Sequence, residues 1–159
     1  MDMKDLPELI AKYELGTQVV IDAIGDYEGL DIDAKHPEGW SPRQIMHHLA
    51  DSETNSYIRL RRLLGEENGT LLSGYDEGAW ATNSTLGYEV LPIDRSYTLF
   101  MSVRMASAEI LPRITEADLK KTGVHSEIGQ YTLANWFNSY VAHPYDHADQ
   151  ITRAYKREL

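Results

Sequence analysis

Two pairs of histidines carry the chemistry most readily read from this chain: His47-His48, and His143 with His147. Histidines four residues apart on a helix share a face, one turn apart. A third imidazole from a neighbouring helix would close a three-nitrogen site and leave positions open for water or substrate. That is the ligand count of a catalytic metal, not of a closed structural one. The chain contains no cysteine, which removes disulfides, thiolate ligands and a cysteine nucleophile. A metal would therefore be held by His, Asp, Glu or water, a donor set that suits Zn, Ni, Fe or Mn.

His143 and His147 share their helix face with Trp136, Tyr140 and Ile151. Imidazoles in such surroundings are costly unless hydrogen-bonded or coordinated. In the earlier segment Ile45, His48, Leu49 and Ser52 follow one face, and His47 is turned about 100° away from His48. Asp51, Glu53, Asp146 and Asp149 flank the histidines, and ligating imidazoles usually give their second ring proton to a carboxylate or carbonyl. Tyr140, Asp146 and Glu53 are the neighbours available to manage protons, and helix phase favours Tyr140. The plainer alternative is a bundle in which the same imidazoles only hydrogen-bond in the core. Pro144, between the two later histidines, denies residue 140 its backbone donor and predicts a kink.

Four amphipathic segments must position these groups. The first covers Leu6 to about Tyr27, with Leu9, Ile10, Tyr13, Leu15, Val19, Val20 and Ile24 largely along one stripe. The second starts behind Ser41, with Pro42 at the first helical position and Gln44 completing a capping box, and stops at Gly65. The third starts with Asp94 as N-cap, carries Tyr97, Phe100, Met101, Met105 and Ala108, and runs toward Leu111, where Pro112 ends or kinks it. The fourth follows Thr132 as N-cap and extends toward Tyr155. Four such helices predict an all-α, four-helix-bundle fold. A long connection from Glu66 to Leu91 separates helices two and three, and the glycines between Leu119 and Tyr131 predict a small hairpin before the last helix. The aromatics of Tyr75–Trp80 either fold over the metal mouth or anchor the long loop to the bundle.

A length of 159 residues suits one domain, covering 1–159, that buries about 68–70% of its unfolded surface. With 15 Lys+Arg against 25 Asp+Glu and a formal charge of −10, the chain repels nucleic-acid phosphates. The cluster Arg59, Arg61 and Arg62 is followed by Glu66 and Glu67 and reads as a solvated helix end. The start MDMKDLPELIAKYELG lacks the apolar stretch of a signal peptide, and no apolar run has membrane-spanning length. A cytoplasmic protein is expected, without nucleic-acid or membrane partners.

The phrases WSPRQIMHHLADSETNSYIRLRRLL, GYDEGAW and NSYVAHPYDHADQITR resemble the DinB-like superfamily, and in particular its YfiT-like metal-dependent hydrolases. The resemblance spans about Trp40 to Arg153. It implies a four-helix bundle holding one divalent metal ion, Zn or Ni ahead of Fe or Mn, on three histidines. Carried over, these are His48, before Leu49-Ala50-Asp51, with His143 and His147. Family members often carry a further histidine directly after the last ligand, where this chain has Ala148. The resemblance also implies homodimers and a small-molecule substrate. Hydrolysis is the leading expectation, with Tyr140 and Asp146 as catalytic candidates. Transfer of a low-molecular-weight thiol such as bacillithiol is the alternative, and a non-catalytic, stress-associated metal-binding protein is a third.

Overall fold

The computed structural model describes all 159 residues. Four long helices form the body: α1 (Leu6–Ile24), α2 (Pro42–Gly65), α4 (Asp94–Ala108) and α5 (Leu133–Tyr155), with a short α3 (Glu77–Thr82) between α2 and α4. Consecutive α1 and α2 are not neighbouring walls; each packs on both α4 and α5. This four-helix bundle has the histidine-bearing segments of α2 and α5 side by side. No helix is long and apolar enough to cross a membrane.

The caps follow local chemistry. Ser41 accepts from the Gln44 amide while Gln44 reaches back to the Ser41 N–H, with Pro42 at the start. Thr132 and Asn135 build the same reciprocal cap on α5. Each cap satisfies donors that a helix start leaves without partners.

The expected ends of two helices shift. The first stops at Ile24 instead of Tyr27, because Gly25 takes φ 62, a left-handed value that glycine adopts without strain. The third begins at Asp94 itself, with Ile93 in the cap position. Asp94 accepts a hydrogen bond from the Tyr27 hydroxyl at 3.1 Å instead of capping. This helix ends at Ala108, and Pro112 falls within a separate 3₁₀ turn, Leu111–Arg113. Its inner face is Phe100, Arg104 and Ser107, whereas Met105 is exposed.

The hairpin before the last helix is present as β2 (Thr122–His125) and β3 (Gly129–Thr132), paired antiparallel. The long connection supplies a third strand, β1 (Thr70–Leu72), parallel to β2. Together with α3 it gives that connection structure of its own and ties it to one end of the bundle.

The core falls into two clusters. One gathers Tyr13, Leu60, Leu63, Leu111, Trp136, Phe137 and Tyr140; the other gathers Val20, Ile24, Ile45, Leu49, Phe100 and Ile151. Between them α2 and α4 carry polar buried residues, among them Glu53, Ser56, Arg104 and Ser107. His48, His143 and His147 sit at this polar waist.

Candidate metal centre

The structure brings His48 of α2 together with His143 and His147 of α5. Nε2 of His143 lies 3.2 Å from Nε2 of His48 and 3.1 Å from Nε2 of His147. One ligand atom from each residue falls within 4.8 Å of the others. Nitrogens that share an ion at about 2.1 Å each lie within about 4.2 Å of one another, and both measured separations satisfy that bound.

Protonation supports the fit. His147 Nδ1–H donates to Gln150 Oε1 at 2.7 Å, which leaves the lone pair on Nε2. The Nδ1 of His143 lies 4.0 Å from the Glu53 carboxylate, an orientation suited to an N–H at that atom. The other ring nitrogens then converge as bare acceptors, an arrangement that a cation relieves. Burial pushes the imidazoles down, His48 to about 3 and His143 to about 2, with His147 also lowered. Neutral imidazole is the ligating form. The Nδ1 atoms of His48 and His143 have no hydrogen-bond partner in the protein.

The support behind His143 is a buried ion pair. Glu53, 1% exposed, accepts from Arg104 Nη1 at 2.6 Å. Burial pushes the Glu53 carboxyl up, and the guanidinium opposes that shift. Arg104 is itself fully buried, donating also to Thr17 Oγ1 at 2.8 Å and to the Tyr13 carbonyl. Its Nη1 reaches the Tyr140 carbonyl at 3.3 Å, the acceptor that Pro144 leaves without its helical donor. The predicted consequence of Pro144 is thus absorbed by α4: α5 remains one helix across it.

The other candidates take varied places. Tyr140 is buried next to His143, with ring centroids 6.3 Å apart, and its hydroxyl accepts from Arg59 Nη1 at 2.7 Å. Burial pushes its phenol up to about 12, so it remains protonated near neutral pH and acts as a hydrogen-bond donor. Asp146 is exposed on the outer side of α5. His47 points away from the three: it accepts from Ser96 Oγ at 2.7 Å and donates to the Leu91 carbonyl at 3.2 Å. It lines a separate cavity of about 730 Å³ that none of the three imidazoles reaches.

Two clefts open on the imidazoles. One, about 360 Å³, is lined by Trp40, His48, Glu77, His147, Gln150 and Arg153 among others. The second, about 240 Å³, reaches His143 and Tyr140. Glu77 lines both. Tyr75 lines the smaller cleft and packs on Trp80 at 4.6 Å, while Trp80 lines neither. The segment therefore serves as wall and anchor together. Sequence reasoning missed Trp40, which meets His48 edge-on at 5.3 Å, as well as Glu77, Arg104 and His125. Only Glu77 and Trp40 carried a signal, each lying inside a phrase of the family resemblance.

Comparison with known proteins finds relatives over nearly the whole chain. The model of the DinB superfamily matches residues 13–151. A protein of Oceanobacillus iheyensis named "putative metal-dependent hydrolase" is 33% identical over 157 residues, covering 99% of this chain and 84% of that one. A Bacillus mycoides protein of the same name is 32% identical over 157 residues, covering 98% and 83%. Among solved structures, YfiT from Bacillus subtilis, described as "a probable metal-dependent hydrolase with an unusual four-helix bundle topology", superposes with a TM-score of 0.83 at 27% identity, covering 99% of this chain and 89% of that one. By its family match, its relatives and its bundle, the chain belongs to the DinB superfamily.

Proposed function

We propose that the protein is a metal-dependent hydrolase of small molecules, with a divalent ion, Zn or Ni ahead of Fe or Mn, held by His48, His143 and His147. The observation that carries this reading is the convergence of three neutral Nε2 atoms where two open clefts meet. A cation in that place supplies Lewis acidity, polarising a substrate oxygen and making water nucleophilic near neutral pH. Around it, Gln150 sets the tautomer of His147, and the Glu53 carboxylate lies 4.0 Å from His143 Nδ1. Tyr140, kept protonated by burial, is the nearby phenol able to donate a hydrogen bond to a substrate or leaving group. Glu77, raised by burial, borders both clefts and is the carboxylate best placed to accept a proton. Asp146, at the exposed side, acts only through its field on His147, whose charged form it favours.

The clefts also weigh between hydrolysis and thiol transfer. Glu38, Glu77 and Glu158 face one cation, Arg153, in the larger cleft, and Glu77 and Glu127 face Arg59 in the smaller. This balance favours neutral or cationic substrates and disfavours an anionic thiol as co-substrate. The open clefts likewise favour an enzyme over a saturated metal-storage site. A homodimer, implied by the family resemblance, belongs to the same reading, and sedimentation velocity tests it.

The test is elemental mass spectrometry on untagged wild type and His147→Ala, followed by a panel of chromogenic esters and amides. One divalent ion per chain, lost in the variant together with turnover, supports the proposal. Absence of metal from both proteins after incubation with Zn and Ni would sink it. Metal-dependent conjugation of thiols without hydrolysis would replace it with the transferase reading.

A further inference from the structure

The smaller cleft is walled by several separate parts of the chain: Ser52 and Arg59 of α2, Tyr75 and Glu77, His125 of the hairpin, and Tyr140 of α5. At about 240 Å³ it lies below the ~300–1,000 Å³ of drug-sized ligand sites. It suits a short acyl group.

His125 is 6% exposed, and its Nδ1 accepts from the Glu127 backbone N–H at 3.3 Å. In the neutral ring the proton is therefore on Nε2, and burial holds the ring neutral by lowering its proton affinity. Tyr131 stacks on the imidazole with centroids 5.5 Å apart and planes 25° apart, which fixes its orientation. Nε2–H makes no hydrogen bond to the protein. The Tyr75 hydroxyl is buried and without a partner.

Arg59 is clamped by bonds to the Ser73 carbonyl at 3.1 and 2.6 Å and to Tyr140 at 2.7 Å. Its guanidinium keeps N–H groups in reserve, since arginine carries five. Buried donors left without acceptors are destabilising. The orphaned Tyr75 hydroxyl, sharing one cavity with His125 Nε2–H and the spare N–H groups of Arg59, calls for an acceptor that the protein does not itself provide.

The cleft also contains Glu77 and Glu127. A carboxylate ligand would meet two like charges against one guanidinium. A neutral amide has a carbonyl oxygen for the donors and N–H groups for the acids. We propose that this cleft is the substrate subsite and that it takes a small neutral carboxamide, its oxygen accepting from His125 Nε2–H and Tyr75 O–H and its N–H groups donating to Glu77 or Glu127. The assignment deepens the hydrolase reading and rests on it for the purpose of the site, but binding in the cleft is measurable without metal or turnover.

The experiment is an NMR titration of the histidine and tyrosine ring signals with acetamide and, separately, acetate, on metal-free and zinc-loaded protein. Saturable shifts at His125 and Tyr75 with acetamide, and weaker binding of acetate, are expected. Tyr75→Phe removes only an unpartnered hydroxyl, so it should fold normally and bind acetamide roughly five- to tenfold more weakly, the worth of one hydrogen bond. His125→Gln retains a donor and should keep most of the binding, whereas His125→Leu should lose it. If His125→Leu does not fold, Tyr75→Phe still decides. Acetamide that leaves both rings unmoved, binds Tyr75→Phe as tightly as wild type, or binds less tightly than acetate would overturn the assignment. Acetamide binding in a protein that takes up no metal would support the subsite and reject the hydrolase reading; metal uptake with no acetamide binding would do the reverse.

Discussion

Gln150 decides how His147 presents its lone pair. The Gln150 carbonyl oxygen holds the His147 Nδ1 proton at 2.7 Å, and groups of this kind typically contribute 10–100-fold to metal affinity. Gln150→Leu should weaken zinc binding by about that factor, measured by competition with a chromophoric chelator, and leave the melting temperature of the metal-free protein little changed. Unchanged affinity would show that the tautomer is set elsewhere. Glu53 bears on folding as well as on the site, because Arg104 beside it is fully buried. Glu53→Gln strips the guanidinium of its counter-charge and should cost about 3–5 kcal/mol in urea denaturation. Replacing both partners, as Glu53→Leu with Arg104→Met, should cost less than that single change, since no uncompensated charge is then buried.

The placement of α5 depends on α1 and α4. A Cβ added at Gly16 of α1 would sit 2.6 Å from Pro144 Cγ, so the two helices approach at the same level as His143. Gly16→Ala must push them apart and should cost roughly 1–3 kcal/mol, the usual range for overpacking. A larger loss in zinc affinity than in Gln150→Leu would show that the α1–α5 spacing governs the ligand geometry. The reciprocal caps have local consequences only. Ser41→Ala and Thr132→Ala should each cost about 1 kcal/mol in thermal unfolding, with no change in metal content.

At the scale of the molecule, a polar layer separates two apolar clusters and contains the imidazoles, Glu53 and Arg104. An all-apolar waist would close the bundle more simply. Here Glu53 and Arg104 satisfy each other in part, while Nδ1 of His48 and of His143 stays without a partner in the protein. The hairpin and the long connection add His125 at one end of this layer. His125 has its pKa lowered in the folded state from an unfolded value near 6.5. Below pH 6.5 the unfolded chain then binds a proton that the folded ring resists, so this histidine's stabilising effect is intact above pH 6.5 and declines as pH falls toward the folded value. The slope is bounded by about 1.4 kcal/mol per pH unit. Denaturation of the metal-free protein between pH 7 and 5 should lose stability less steeply in His125→Gln than in wild type; equal slopes would remove His125 from the account.

The amino-acid sequence by itself determined what interactions within a turn or two decide. The Ser41–Gln44 cap, the Thr132 cap, the pairing of His143 with His147 and the hairpin all rest on neighbours a few residues apart. The resemblance then supplied His48, which helix phase had placed on an apolar face without naming its partners. Packing decided the rest, because it joins residues whose proximity no local pattern encodes. Arg104 lies on the inner face where Met105 was expected to contribute, and it is tolerated there only through Glu53, 51 residues earlier in the chain. Helix phase turned Glu53 away from the histidines, yet the same pair fixes it beside His143. Glu77 and His125 reach the clefts only after α3, β1 and β2 have formed, and those elements depend on a parallel pairing across some fifty residues of chain. Loop closure over that distance is entropically unfavourable until the bundle has placed both ends, so the clustered imidazoles were legible from sequence and the walls of the clefts were not.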